Sequence, residues 1–209
     1  GRDVIPAIFD RAKVFAYNFS AKNGSPPATK SEGRGKDENG TQAAYWRDVG
    51  TLDAYYEANM DLVQVTPEFN LYESRWPIRT YHEQWPPAKT VFADEATGRL
   101  GMVLDSLVSN GCIVSGGKVQ RCVLSPGVRV NSFSEVYDAI LMEGVEGGRY
   151  AKIRRAIIDK DVVIPRYAEI GYDLEEDRRR FTVTDNGVVV VAKGTVVEEP
   201  RAAVSLSGT

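Results

Sequence analysis

Asp48 is the residue whose type and setting most suggest chemistry. It stands after Tyr45-Trp46-Arg47 and before a Val49-Gly50-Thr51 turn. Thr51 can cap a helix and Asp53 suits its first turn, so the carboxylate lies in a strand-to-helix loop. A single carboxylate there suits magnesium, which keeps waters and takes one or two carboxylates plus phosphate oxygens. Arg47 suits a phosphate or a neighbouring carboxylate, and Asp48 with Arg47 reads equally as an ordinary surface ion pair. Two further groups, Arg154-Arg155 and Arg178-Arg179-Arg180, suit bidentate phosphate binding or simple solvation. The single histidine, His82, lies far from either group in sequence. Cys112 and Cys122 read as small apolar filling rather than a disulfide, and no Cys/His spacing supports zinc.

The elements that must position these groups follow from one repeat. Aliphatic residues recur six apart: Leu107, Ile113 and Val119; Val130, Val136 and Met142; Ile158, Ile164 and Ile170. A second series, Val123, Ile140, Ile157 and Val163, accompanies them. Neither a helix nor a simple strand has that period. A parallel β-helix of hexapeptides does, each hexapeptide forming one flat side and turning one side chain into the axis. Three hexads, or about 18 residues, close a coil. Residues 104–170 are therefore expected to hold about three coils, with Ile113, Val119, Val136, Ile158 and Ile164 inside. The register slips at residues 124–130 and near 147–153 are expected to be bulges or excursions. Gly144, Gly147 and Gly148 are read as turn markers. A β-sandwich of short strands is the alternative.

The chain has 209 residues, 43% of them hydrophobic, and a formal net charge of −3. That length suits one large or two small domains. The charge does not favour a nucleic acid or an anionic membrane as partner. With no leader and no apolar run approaching 18 residues, a soluble, cytoplasmic protein is expected. The opening residues, Gly1 to Pro6, begin in mid-element and read as the interior of something larger.

Pro6 suits the first turn of a short helix, and residues 13–19 read as a strand. Residues 20–44 are polar and small and read as a mobile loop. A helix is expected from Thr51 to just before Thr66-Pro67, with Leu52, Tyr55, Tyr56, Asn59, Leu62 and Val63 on one face. Trp76-Pro77 and Trp85-Pro86-Pro87 mark a packed connector, with a boundary around residues 88–103. Residues 173–181 read as a turn or two of charged helix. Asp185-Asn186-Gly187 signals a type I′ hairpin between residues 181–184 and 188–192, and the tail from Lys193 is expected to fray.

The run Tyr45-Trp46-Arg47-Asp48-Val49-Gly50-Thr51, continued to Asn59, resembles bacterial glucose-1-phosphate adenylyltransferase. So do residues 76–81, 86–89, 131–133, 163–165, 175–177 and 179–181, and the likeness covers the chain to about Val191 apart from residues 20–44. The resemblance implies an α/β fold at the start, the end of a Rossmann-like nucleotidyltransferase domain, followed by a left-handed parallel β-helix. Residues 1–87 would close the catalytic domain with its connector, and residues 88–209 would form a regulatory and oligomerisation domain. The reaction implied makes ADP-glucose and pyrophosphate from ATP and glucose 1-phosphate, for glycogen synthesis, in a homotetramer. Asp48 matches a catalytic aspartate that binds Mg2+, and Trp46 a tryptophan linked to activator response. Arg155, Arg179 and Arg180 fall where the family holds a sugar-phosphate activator; a nucleotide inhibitor is also implied. Val183 departs from an arginine of close relatives. The family's Gly-rich nucleotide loop, first metal aspartate and sugar-phosphate Glu-Lys segment have no counterpart in these residues, so the chain alone is expected to be inactive.

Two rivals remain. A hexapeptide acyltransferase needs a histidine base at a coil interface, and His82 lies in the connector. A free-standing regulatory or assembly module needs no chemistry at all.

Overall fold

The computed structural model describes residues 3–9, 11–15, 45–72, 74 and 77–200. It divides into two compact units, residues 1–46 with 73–77, and residues 47–72 with 78–209. In the first, helix α1 (Val4–Ile8) contains Pro6. Residues 13–15 are not a strand there, contrary to expectation; residues 16–19 and the polar stretch 20–44 lie outside the described residues.

The second unit is built on a parallel β-helix. Its inward rungs Val103, Val119, Val136, Ile153 and Ile170 pair in register, 16, 17, 17 and 17 residues apart. There are thus four turns where about three were expected, and each is a residue or two short of three full hexads. The corners explain the shortfall. Positive φ recurs at residues 116, 121, 127, 133, 138, 144, 150, 155, 161 and 167. The sides between corners therefore run five, six and six residues, and the five-residue side moves every later hydrophobic by one position. This accounts for the two register slips without any excursion.

Because adjacent residues of a strand face opposite ways, that single shift decides which neighbour is inside. Val119, Val136, Ile158 and Ile164 are in the axis, as expected. Ile113 is not: it is half-buried, and Val114 takes the interior place. Likewise Val108 and Leu141 take the inner positions expected for Leu107 and Met142. Gly147 lies within a strand, paired with Val130 and Ile164, rather than at a turn. Both cysteines are buried free thiols, and burial pushes Cys122 up to about 12 and Cys112 up as well, in keeping with filler rather than nucleophile.

Two glycines show why corners need them. At Gly111, φ is +78°, and a Cβ would come 2.7 Å from the Trp85 ring, which seats the connector on the coil. At Gly171, φ is +84°, and a Cβ would run into the Arg154 carbonyl oxygen.

Three additions complete the unit. A short hairpin, Ala93–Asp94 with Arg99–Leu100, leaves the coil after the strand Lys89–Val91. Helix α2 (Leu52–Leu62) begins at Thr51, whose side chain accepts from the Ala54 N–H. Helix α3 (Leu174–Arg180) follows the last turn, capped by Asp173, with acidic residues first and basic residues last as the helix dipole favours. Strand Val189–Val191 then returns to extend the sheet beside Ala156–Ile158. The loop at 185–187 differs from the expected type I′ turn. Thr182 pairs with Val190 and Val183 with Val189, the Gly187 N–H donates to the Thr184 carbonyl, and in the loop only Gly187 has positive φ. That is a type I turn followed by a bulge glycine. The tail does not fray at once: Val197 is 8% exposed and packs on the core. No helix among the described residues is long and apolar enough to cross a membrane.

Helix α2 is seated on the outside of the coil. Val123, Ile140, Ile157 and Val190 stack in register as an outward aliphatic row. Tyr56 covers them, in a cluster with Ile140, Ile157 and Val188. The Tyr56 hydroxyl donates to the Asp138 carbonyl at 2.7 Å, and burial, helped by the Asp138 charge, pushes its pKa up to about 12. The fourth residue expected in that series, Val163, is 60% exposed, beyond the reach of the helix. Tyr56→Ala should cost about 3 kcal/mol or more in urea unfolding, and Tyr56→Phe only about 1. Equal, small losses in both would mean that the helix is not held by this ring.

Candidate functional site

The loop carrying Asp48 leads directly into α2. The Gly50 N–H donates to Asp48 Oδ1 at 3.0 Å, an Asx turn that fixes the carboxylate just before the cap. Arg47 reaches past it to the end of the helix, its Nη2 and Nε lying 2.6 and 3.0 Å from Asp61 Oδ2. Of the readings open for Arg47, the structure supplies the neighbouring carboxylate. At the other end, Thr184 Oγ1 donates to Asp53 Oδ1 at 2.6 Å, tying the first turn of α2 to the C-terminal hairpin. The loop is therefore mounted on the β-helix through α2. Asp48 is exposed. Among the described residues no group of three or more His, Cys, Asp or Glu gathers to hold a metal. One carboxylate with waters and phosphate oxygens is a coordination that magnesium accepts, so the loop fits that ion as one ligand of several.

The arginines are placed separately. Arg155 occupies a coil corner with φ of 48°. Its Nε donates to the Asn186 carbonyl at 3.1 Å, and its guanidinium carbon lies 5.5 Å from the centre of the Tyr56 ring. It thus touches both the hairpin and the helix that carries the Asp48 loop. Arg180 lies at the end of α3, where its Nη2 donates to Asp177 Oδ1 at 3.1 Å and to the Glu169 carbonyl at 3.2 Å. Arg179 pairs with Glu176 at 3.0 Å on the exposed side of α3. Trp46 belongs to the first compact unit and is exposed.

Three residues given no role at the site from the sequence matter here. Tyr56 and Asp61 anchor the loop; their only sequence signal is their place on the helix. Asp177 is 1% exposed, and its Oδ2 accepts from the Gly171 N–H at 2.8 Å. Burial holds its carboxyl above the usual range despite Arg180 and that N–H. The i,i+3 spacing of Asp177 and Arg180 was visible, but the burial that gives the pair weight was not.

The family model described as GlmU-like, C-terminal hexapeptide matches residues 86–191. The chain belongs to this hexapeptide family. The match spans the whole coil, from the strand at Lys89 to the one ending at Val191, and fits the left-handed hexapeptide architecture expected above. Among curated proteins, the chain is 54% identical to a glucose-1-phosphate adenylyltransferase of Anaeromyxobacter sp. (strain Fw109-5), over 95% of this chain and 46% of that protein. It is 53% identical to the one from Koribacter versatilis, over 92% of the chain and 42% of the relative. The Rhodopirellula baltica protein of the same name is 49% identical, over 96% and 42%. The chain thus spans less than half the length of these relatives, and it matches the C-terminal part of a glucose-1-phosphate adenylyltransferase.

Proposed function

We propose that this chain is the regulatory end of an enzyme that makes ADP-glucose and pyrophosphate from ATP and glucose 1-phosphate, for glycogen synthesis in the cytoplasm. The observation that carries the reading is 54% identity to a protein of that name across 95% of the chain. Residues 1–87 would complete the catalytic domain and residues 88–209 would regulate it and assemble a homotetramer. By itself the chain would be inactive, because the resemblance assigns the phosphate-binding loop to residues not among these 209.

In this reading Asp48 is the one carboxylate the chain contributes to a Mg2+ site. Bound there, the ion would neutralise charge as the α-phosphoryl group is attacked. The rest is positioning: Gly50 orients the carboxylate, Arg47 and Asp61 brace the loop, and Tyr56 holds α2 on the coil. Arg155, Arg179 and Arg180 are the activator-phosphate candidates, with Trp46 in the activator response and a nucleotide as inhibitor. Arg155 supports coupling by contact, since it lies on Tyr56 and Tyr56 belongs to the helix that leads from Asp48.

Arg180→Ala in the complete enzyme should raise the activator concentration for half-activation about tenfold, or about 1.4 kcal/mol. Turnover without activator should stay within a factor of about two. The test is a titration with fructose 1,6-bisphosphate and fructose 6-phosphate, run below the melting transition because Asp177 loses a partner. Superimposable activation curves would remove Arg180 from the activator site.

A further inference from the structure

One side of the coil carries two rows of outward groups. Lys118, Glu135, Lys152 and Glu169 stack one per turn in direct register, while their chain neighbours Val119, Val136, Ile153 and Ile170 fill the axis. Beside them, at the corner, stand Phe133, Tyr150 and Tyr167, with ring centres 4.9 and 5.0 Å apart and planes within 10°. The two rows line a groove of about 690 Å³, with Leu100 and Met102 toward the first turn. The same side carries a parallel outward row of Leu104, Gln120, Tyr137 and Arg154, which widens the surface.

We infer that this groove is an isologous docking surface for a second copy of the chain. The argument is the order of the charges. Turned end for end about a two-fold axis between Glu135 and Lys152, the row Lys-Glu-Lys-Glu meets its own complement. Lys118 faces Glu169 of the second copy and Glu135 faces Lys152, four opposite-sign contacts with no like-charge contact. These charges are only partly used within the chain. Lys152 pairs with Glu169 at 2.9 Å, but Lys118 and Glu135 form no ion pair among the described residues. At a different corner of the coil, by contrast, Arg121 spends its guanidinium on Asp138 at 2.6 and 2.8 Å.

The aromatic corner points the same way. Phe133, Tyr150 and Tyr167 all hold φ between 60° and 63°, a conformation unfavourable for bulky residues. Tyr150 and Tyr167 are each left 40% exposed. Tyr150 is sandwiched between the other two rings, so its edge and hydroxyl are what it offers. A protein surface can pack against such a ridge of ring edges beside a groove.

The inference deepens the assembly part of the reading above and is tested on the 209-residue chain without turnover. Glu135→Lys and Lys152→Glu should each weaken self-association about tenfold by sedimentation, since each sets two like-charge pairs across the axis. The double variant Glu135→Lys/Lys152→Glu reads Lys-Lys-Glu-Glu, again self-complementary, and should recover wild-type association. Independently, Lys118→Cys/Glu169→Cys should give a covalent dimer on mild oxidation, and either single variant should not. Within one chain those positions are three rungs apart, about 14 Å, beyond disulfide reach. Oligomers unchanged by the single reversals, a double variant that fails to recover, or no cross-link would each overturn this face while leaving the catalytic reading intact. A wild-type chain that stays monomeric at its highest soluble concentration would overturn it together with the assembly proposal.

Discussion

Ile158→Asp is expected to leave the β-helix unfolded under conditions in which the wild-type chain melts cooperatively. Ile158 is fully buried, between Leu141 on the turn before and Val191 on the returning strand. A carboxylate at that place meets only aliphatic carbon above and below. Burying it without a partner costs several kcal/mol or forces it to protonate, against a total stability of about 5–15 kcal/mol for an ordinary domain. The damage also spreads. Turns of a solenoid contact only their neighbours, so a break at one rung uncouples the strand Val189–Val191 and helix α3 from the turns before it. Circular dichroism and a urea titration read the outcome. Ile158→Val, which keeps the shape and shortens the side chain, should lose only about 1 kcal/mol. A cooperative, near-normal transition for the aspartate variant would show that Ile158 does not face the axis in solution.

Asp48→Asn in the complete enzyme is expected to lower turnover at least about a hundredfold, roughly 3 kcal/mol of transition-state stabilisation. The fold should not notice. Asn at this position retains an Oδ1 that can accept the Gly50 N–H, so the Asx turn survives, and the Arg47–Asp61 brace is untouched. The measurements are steady-state synthesis of ADP-glucose across a magnesium titration and a thermal melt of the same variant. Lost turnover with an unchanged melt supports a ligand role. Near-normal turnover at saturating magnesium would make Asp48 a structural turn residue, and a lowered melt with lost turnover would point to the loop rather than the ion.

Both experiments probe features with different standing in the sequence. The period of six aliphatic residues announced the coil, since neither helix nor strand produces it, and the run from Tyr45 to Thr51 announced the loop and its family. Thr51 as cap, Asp173 at the head of the charged helix, and a turn at Asp185-Asn186-Gly187 were legible for the same reason. Each is a local signal, carried by residues within a few positions of one another.

What the tertiary structure alone decided is phase and partnership. Whether Ile113 or Val114 enters the axis depends on a five-residue side that becomes visible only when strands about 17 residues apart are paired. A shift of one residue exchanges the two faces of a strand, so a correct period can still place a residue on the wrong side. The second aliphatic series was seen in the sequence, but not its use. Ile140 and Ile157 are buried, and Val123 partly so, because α2, from some 65 to 100 residues earlier in the chain, lies over them, whereas Val163 has no such cover. The arginines follow the same rule. Their number and spacing stand in the sequence; that Arg155 meets Tyr56 and Arg180 meets a buried Asp177 follows from long-range packing, which brings together groups that no local pattern links.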